Sequence, residues 1–323
     1  MRLDRERLIR KLSQYFVLAA VLVGTPLLCA WLAGRVDLFE GLAAFPPRTE
    51  DWGGDPSMLW NMRKPFSWPV FIGMAAGIAA VVLPFIRRLL GPADAAPRQA
   101  GTVAPGGRMR SQTGKKDGRG GGAKAAFPWY GWLGLALGAA AWVLAWSRFA
   151  WVAPLQAHTF LPLWLAYILV MNALCVRRTG RCLMTSHPGP YAALFPVSAA
   201  FWWFFEYLNR YVWNWYYRGV EGMCAEEYVF FATCSFATVL PAVTATAEWL
   251  ASFRPFSDNR LCGFVRMDVR HPMSVAAMSV AAAGGLCGIV FFPQFTFPLL
   301  WVSPLAVFLV LQEIGRASCR ERV

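Results

Sequence analysis

Eight apolar stretches recur along the 323-residue chain, and they constrain its fold more than any other feature. Most approach the roughly 20 apolar residues that an α-helix needs to cross a bilayer. Only 15% of the residues are charged, whereas a soluble domain carries about a quarter. The sequence therefore predicts an all-α, polytopic α-helical membrane protein with about eight transmembrane helices. The stretches are 15–34, 66–86, 127–146, 159–176, 191–209, 228–249, 273–292 and 298–312.

Basic residues are distributed unevenly between the connecting segments. The N-terminal tail and segments 87–126, 177–189 and 250–272 together hold 21 Lys and Arg, and the alternate segments hold seven. Because cytoplasmic loops carry the excess of basic residues, the N-terminus is predicted to be cytoplasmic. This bias also accounts for most of the net charge of +13, so the lipid bilayer is the predicted partner and nucleic acid is not.

The spacing of the stretches divides the chain into five segments. The long connection between the second and third stretches is rich in Gly, Pro, Ala and basic residues, a composition that buries too little apolar surface to fold. Its part 91–126 is predicted to contact anionic lipid head groups, at about 1 kcal/mol per basic residue near the surface. The segments are a basic cytoplasmic tail 1–14, a two-helix part 15–86 with an external loop 35–65, a disordered basic Gly-rich linker 87–126, a bundle 127–312 of at least six helices, and a tail 314–323.

The C-terminal tail 314–323 resembles the translation of a sequencing adapter and is excluded from the fold prediction. The apolar stretch before it, 298–312, has 15 residues, which is short for a spanning helix. The sequence therefore predicts a last helix that is truncated. The alternative is a genuine basic tail that follows a short helix.

The aromatic block 201–217 contains the most informative polar residues. Glu206, Asn209, Arg210 and Trp213 are spaced to share one face of a helix. A charged residue at membrane depth is costly unless it pairs or faces a polar cavity. One interpretation is a substrate-binding site under the outer leaflet, with Glu206 as proton carrier or ligand anchor. The other is an ion pair between Glu206 and Arg210 in an interfacial aromatic belt.

The sixth stretch carries a second polar stripe, and the fourth is preceded by a histidine. Thr238 and Thr244 belong to the stripe, with Cys234, Pro241 and Glu248 in the same series. A polar face on a proline-kinked helix suits a transport path, but it also suits plain helix packing. His158 is predicted on the same side as Arg210 and could join its polar cluster. The candidate substrate-binding residues are therefore Glu206, Asn209, Arg210, Trp213, His158, Thr238 and Thr244.

Two glycine pairs have the four-residue spacing that lets membrane helices approach closely. They are Gly73 with Gly77, and Gly134 with Gly138. Cys175, Cys182 and His187 lie near one another in sequence, but their spacing matches no zinc pattern. No metal and no cofactor are therefore predicted.

The runs 158–164 and 172–180 and the aromatic block resemble a family of uncharacterised bacterial polytopic membrane proteins. The resemblance implies a bacterial cytoplasmic (inner) membrane location and supplies no activity. No phosphate-binding loop, nucleophile elbow or dinucleotide fingerprint is present in the sequence. Three hypotheses remain: a transporter or flippase, a membrane-embedded enzyme that acts on a lipid or isoprenoid, and a structural or accessory membrane subunit. The sequence leaves protein partners unknown.

Overall fold

The computed structural model describes residues 2–34, 68–90, 125–212, 223–253 and 271–320, together with Asn214, Trp215, Tyr217, Val220 and Phe256. These residues form helices and connecting segments, with no β-strand in that part of the chain. The α-helices are α1 (Arg2–Leu32), α2 (Trp68–Leu90), α3 (Trp129–Trp146), α4 (Ala153–Gln156), α5 (Phe160–Thr179), α6 (Leu183–Ser186), α7 (Pro188–Val212), α8 (Ala225–Ala237), α9 (Val239–Ala251), α10 (Pro272–Phe291) and α11 (Pro293–Arg320).

Seven stretches of described helix are long and apolar enough to cross a membrane, which confirms the predicted all-α polytopic class. The fifth predicted span, 191–209, lies in α7, which is helical but is not among the seven. The C-terminal half of α7 carries Glu206 and Arg210. The seven stretches are Ser13–Leu32, Trp68–Leu90, Trp129–Trp146, Phe160–Thr179, Ala225–Ala251, Pro272–Phe291 and Pro293–Glu313.

The last span corrects the sequence prediction. Its helix begins at Pro293 rather than at residue 298, and the apolar part runs for 21 residues to Glu313. Proline is favourable in the first turn of a helix because no intrahelical partner is lost there. Pro298 and Pro304 then lie inside the helix without ending it. The predicted start of the last span at residue 298 is therefore too late, whereas the truncation of the last helix stays a prediction.

The chain divides into two compact units. Unit 1 comprises Met1–Ala79, Ala199–Phe236 and Val265–Val323. Unit 2 comprises Ala80–Ser198 and Ala237–Phe264. The predicted loop 35–65 and most of the linker 87–126 lie outside the described residues.

The α10–α11 hairpin forms the centre of unit 1. A Cβ built on Gly285 would lie 1.9 Å from Ser303 Oγ and 3.0 Å from the Leu299 carbonyl oxygen. A Cβ on Gly288 would lie 2.6 Å from Thr296 Cγ2. Only glycine allows two membrane helices to approach this closely, so these positions hold the hairpin together.

Helix α1 packs against this hairpin in unit 1. Leu22 and Ala30 of α1 belong to the same buried core as Leu286 and Ile289 of α10. Pro26 interrupts the hydrogen-bond ladder of α1 because proline has no amide hydrogen. Nearby, the Tyr207 hydroxyl of α7 donates to the Val23 carbonyl at 2.7 Å. A neighbouring side chain thus satisfies backbone close to the proline, as membrane helices require.

Unit 2 is built around α5, which contacts both α3 and α9. A Cβ on Gly134 would lie 2.9 Å from Leu169 Cβ, so the predicted close contact of this glycine is confirmed. Gly138 makes ordinary contact with Ala166. For Gly73 and Gly77 no described atom lies within 4 Å of an added Cβ, so their predicted contact is not formed in the described part of the chain.

The span Ala225–Ala251 is divided into α8 and α9 at Thr238. Pro241 has no amide hydrogen to donate to the carbonyl four residues earlier. Thr238 nevertheless keeps right-handed helical dihedrals, and its carbonyl accepts a bond from the Ala242 amide at 3.1 Å. The span is therefore one helix that is interrupted near Pro241, as its sequence predicts, and the right-handed helical conformation continues through Thr238.

Candidate functional site

The C-terminal half of α7 buries three adjacent polar residues within unit 1. Glu206 is 7% exposed, Asn209 is 8% exposed and Arg210 is 9% exposed. Their spacing along α7 brings them to one side of the helix, as predicted. Trp213, the fourth member of the predicted group, lies outside the described residues.

The carboxylate of Glu206 accepts hydrogen bonds from two aromatic side chains of the segment that follows α7. The Trp215 indole nitrogen donates to Oε1 at 2.8 Å, and the Tyr217 hydroxyl donates to the same oxygen at 2.6 Å. Bonds to an ionised acceptor are shorter and stronger than bonds between neutral groups. These two donors therefore stabilise Glu206 where water is largely excluded.

Asn209 positions that segment. Its Oδ1 accepts from the Asn214 amide at 2.9 Å and from the Trp215 amide at 3.3 Å. Its Nδ2 donates to the Trp215 carbonyl at 2.8 Å. A single side chain thus bonds both backbone groups of Trp215 and fixes the turn that brings the indole to Glu206.

Arg210 and Tyr228 complete the electrostatic surroundings of Glu206. Both interact with the Glu206 carboxylate, and Arg210 also interacts with Tyr228 of α8. The sequence predicted the attraction between Glu206 and Arg210. It did not predict that two aromatic donors would bond the carboxylate as well.

Tyr217, the second donor to Glu206, lies beyond the end of α7 and is 37% exposed. Desolvation of its hydroxyl, followed by the neighbouring carboxylate of Glu206, raises the pKa of Tyr217. The phenol therefore stays protonated and donates over the whole physiological pH range. The Trp202 indole nitrogen donates in turn to the Tyr217 oxygen at 3.3 Å.

A stack of aromatic rings leads from this carboxylate to a cavity in unit 1. The Trp215 ring lies 5.3 Å from the Trp301 ring of α11, at an interplanar angle of 32°. Trp301 stacks on Phe205 with centroids 4.7 Å apart and an angle of 20°. Phe205 and Trp301 are both wall residues of the cavity. The Trp215 and Trp301 rings therefore connect the bonded carboxylate to the wall of an apolar space.

The cavity is an open cleft of about 550 Å³ between α1, α7 and α11, and some of its wall residues are exposed, among them Tyr15 at 56% and Leu305 at 59%. Its wall is apolar and aromatic, and includes Leu18 and Leu22 of α1, Phe204 of α7 and Leu305 of α11. The wall residues of α1 run from Tyr15 to Val23, which corresponds to about 12 Å of helix. A space of this size is typical of small-molecule sites.

The remaining predicted site residues belong to unit 2. His158 is half-buried just before α5, and its amide bonds the Leu155 carbonyl. Thr238 is 1% exposed and precedes α9, whereas Thr244 is half-buried within α9. Glu206, Asn209 and Arg210 thus form a contiguous group within unit 1. His158, Thr238 and Thr244 belong to unit 2 and are not part of that group.

Unit 2 has its own buried polar network, centred on Asn172 of α5. Asn172 is fully buried, and its Nδ2 donates to the Ile168 carbonyl at 2.8 Å and to the Tyr191 hydroxyl at 2.9 Å. The Tyr191 hydroxyl donates to the Pro241 carbonyl at 3.1 Å. This network ties three helices together beside the proline of α9, which supports a packing role for that part of the polar stripe.

Glu248, at the end of the stripe, also bonds backbone. Its Oε2 accepts from the Leu183 amide at 2.9 Å, at the first residue of α6. Cys175 and Cys182 are both buried, and Cys182 contacts the Tyr130 hydroxyl at 3.7 Å. Within the described residues no group of three His, Cys, Asp or Glu is placed to hold a metal ion.

No protein-family model, curated protein or solved structure matches this chain. The bacterial membrane family suggested by the sequence resemblance therefore stays a prediction. A functional proposal has to rely on the geometry of the site itself.

Proposed function

We propose that this protein binds an amphipathic lipid and moves it across the bilayer, as a transporter or flippase. The single observation that carries the proposal is the apolar cavity of about 550 Å³ in the same unit as the buried Glu206. Water finds no hydrogen-bond partners in a space lined by Leu and Phe, whereas a hydrocarbon chain is stabilised there by burial of its apolar surface. The head group of the lipid would then lie near Glu206, Asn209 and Arg210.

Each part of the unit takes a defined role in this proposal. The apolar chain lies along α1 between Leu18 and Leu22. Phe205 and Trp301 form the boundary between the chain and the polar residues. Glu206 acts as the head-group anchor or the proton carrier, because buried charged residues of membrane proteins are rare and commonly mark substrate or proton pathways.

The experiment is a flux assay in liposomes that contain the full-length protein and a fluorescent phospholipid. A membrane-impermeant quencher reports the fraction of lipid that reaches the outer leaflet. We expect the wild type to expose inner-leaflet lipid and Glu206→Gln to do so at least tenfold more slowly. Glu226→Gln is the matched control, because Glu226 is exposed at the start of α8. Absence of flux in all three proteins would contradict the proposal.

A second pair of variants tests the cavity separately from the carboxylate. Ala19 lines the cavity and Ala20, the next residue of α1, does not. Ala19→Trp should fill the cavity and abolish flux, whereas Ala20→Trp should leave it near the wild-type rate. Equal rates for the two variants would show that the cavity does not hold the lipid.

The same assay separates transport from lipid chemistry. The membrane-embedded enzyme would act on a lipid or isoprenoid held in the same cavity, with Glu206 as the acid or base. Chromatography of the recovered lipid should show unchanged molecules if the protein is a transporter. A chemically altered lipid that disappears in Glu206→Gln would replace the transport proposal with the enzyme.

We further propose that the protein is a multi-pass component of a bacterial cytoplasmic membrane with its N-terminus in the cytoplasm. The count of 21 against seven basic residues supports this orientation. In that orientation the basic linker contacts anionic head groups of the inner leaflet through residues 91–126. Removal of those residues should weaken binding of the protein to vesicles rich in phosphatidylglycerol, and unchanged binding would contradict this contact.

A further inference from the structure

Three arginines lie together in unit 2, where α5 ends and the chain turns toward α6. Arg177 and Arg178 belong to the last turn of α5, and Arg181 follows directly after Gly180. All three are exposed. The candidate span Phe160–Thr179 ends in this turn, and long arginine side chains at the end of a spanning helix reach into the head-group layer.

The side chain of Thr179 holds Arg181 against the end of α5. Its Oγ1 lies 2.9 Å from the Cys175 carbonyl oxygen and 2.9 Å from the Arg181 carbonyl oxygen. Gly180 allows the chain to reverse at this point, because its φ of 78° is left-handed and costs a glycine little. The backbone of Arg181 is therefore fixed beside the turn that carries the other two arginines.

The guanidinium group of Arg178 is held in place by the end of α9. Its Cζ lies 3.8 Å from the centroid of the Phe253 ring, and its Nε donates to the Ser252 carbonyl at 3.3 Å. A guanidinium has five N–H donors in one plane, so its terminal nitrogens can still donate to a second acceptor. Because this side chain is ordered before a ligand arrives, less entropy is lost on binding.

We propose that Arg177, Arg178 and Arg181 form a binding site for the phosphate of an anionic phospholipid. Planar guanidinium groups match the oxygens of a phosphate, and basic pockets between membrane helices bind anionic head groups. A phospholipid fits this position better than a soluble phosphate, because its acyl chains can lie along the apolar part of α5. The site belongs to the folded part of unit 2, whereas the contact proposed for the linker depends on charge alone.

The experiment is native mass spectrometry of the full-length protein in detergent. The protein is titrated with phosphatidylglycerol and, separately, with phosphatidylcholine that has the same acyl chains. We expect the wild type to prefer phosphatidylglycerol. Arg177→Gln and Arg181→Gln should each weaken the binding of phosphatidylglycerol about fivefold, the effect of one basic residue near an anionic head group.

The matched control is Arg87→Gln. Arg87 is also exposed in the last turn of a spanning helix, α2, but it lies outside this turn. This variant should bind phosphatidylglycerol as the wild type does, and all variants keep the linker. An equal loss in the three variants would show that any basic residue at the end of a span acts in the same way, and it would overturn the site. Equal affinity of the wild type for the two lipids would overturn it as well.

Arg178→Lys distinguishes a structured site from diffuse charge. Lysine keeps the charge but lacks the planar group that stacks on Phe253 and bonds Ser252. We expect weaker binding of phosphatidylglycerol with an unchanged unfolding midpoint in the absence of lipid, and binding at the wild-type level would contradict the proposal.

Inorganic phosphate identifies the source of the bound group. We expect millimolar inorganic phosphate to leave phosphatidylglycerol bound, whereas displacement of the lipid would show a site for free anions and overturn the assignment to a lipid. None of these measurements uses lipid flux, so a failure here is distinguishable from a failure of the transport proposal.

Discussion

The Trp215 indole donates a 2.8 Å hydrogen bond to the Glu206 carboxylate, and the Trp215 ring also contacts Trp301 in the wall of the apolar cavity. One residue thus touches both the buried charge and the boundary of the cavity. Movement of a head group toward Glu206 would have to displace this indole or exchange its hydrogen bond. Trp215, in the segment after α7, therefore connects the polar residues around Glu206 with the apolar wall of the cavity.

Replacing Trp215 by Phe should weaken unit 1. The smaller ring keeps an apolar contact with Trp301 but removes a donor from a buried carboxylate. A hydrogen bond to a charged group contributes about 1.5–3 kcal/mol, so the free energy of unfolding should fall by about that amount. The measurement is the thermal unfolding midpoint in detergent. Trp132→Phe is the control, because Trp132 is 63% exposed, and an equal fall in both variants would contradict this role of Trp215.

Asn209 should control the order of the segment that follows α7. Asn209→Ala removes three hydrogen bonds to the backbone of Asn214 and Trp215. We expect limited proteolysis between α7 and α8 to become at least fivefold faster, because the turn loses its side-chain clamp. Asn214→Ala is the matched control, since Asn214 is exposed and is held through its backbone amide. Equal cleavage rates for the two variants would show that the Asn209 side chain does not hold this segment in place.

The sequence predicted part of this site and missed the rest for physical reasons. Helical spacing was enough to group Glu206, Asn209 and Arg210, because they share one helix. Trp215 and Tyr217 lie in the same aromatic block, but the turn that returns them to Glu206 depends on the Asn209 side chain. Trp301 is remote in sequence and meets Trp215 only through tertiary packing, which no local pattern reports.

The fold was predictable to a similar degree. The lengths of the apolar stretches predicted the fold class and most of the spans. A long apolar segment in a bilayer forms a helix, because the helix provides hydrogen bonds for all of its own backbone groups. The start of the last span was predicted at residue 298, whereas α11 begins at Pro293 and continues through Pro298 and Pro304. Proline usually ends a helix in a water-soluble protein. In a membrane bundle it is tolerated inside a helix, because neighbouring helices can bond the carbonyl groups that it leaves without a partner.

The α10–α11 hairpin should tolerate alanine at one glycine and not at the next. A Cβ on Gly285 would lie 3.0 Å from a backbone oxygen and closer still to Ser303 Oγ, so the helices would have to separate. A Cβ on Gly284 would meet only Leu299 Cδ1 at 3.7 Å, an ordinary contact. Gly285→Ala should therefore destabilise the protein by about 1–3 kcal/mol, and Gly284→Ala by much less. Thermal unfolding in detergent compares them, and the opposite order would disprove this packing.

Tyr191 should be the strongest single test of the polar network in unit 2. Its hydroxyl accepts from Asn172 and donates to the Pro241 carbonyl, and the residue is 5% exposed. Tyr191→Phe leaves a buried amide hydrogen and a buried carbonyl lone pair without that partner. Each loss of this kind costs about 1–3 kcal/mol, and water cannot easily replace the hydroxyl.

The matched control for Tyr191 is Tyr167→Phe on α5. The Tyr167 hydroxyl also bonds a residue of α9, the Thr246 hydroxyl at 2.7 Å, but Tyr167 is 40% exposed. Thr246 keeps a second bond to the Ala242 carbonyl at 2.7 Å, so the change leaves no buried group without a partner. The melting midpoint should fall by several degrees for Tyr191→Phe and by about 1 °C or less for Tyr167→Phe. If the two falls were equal, burial would not be what makes the Asn172 network stabilising, and the proline of α9 would have to be supported in another way.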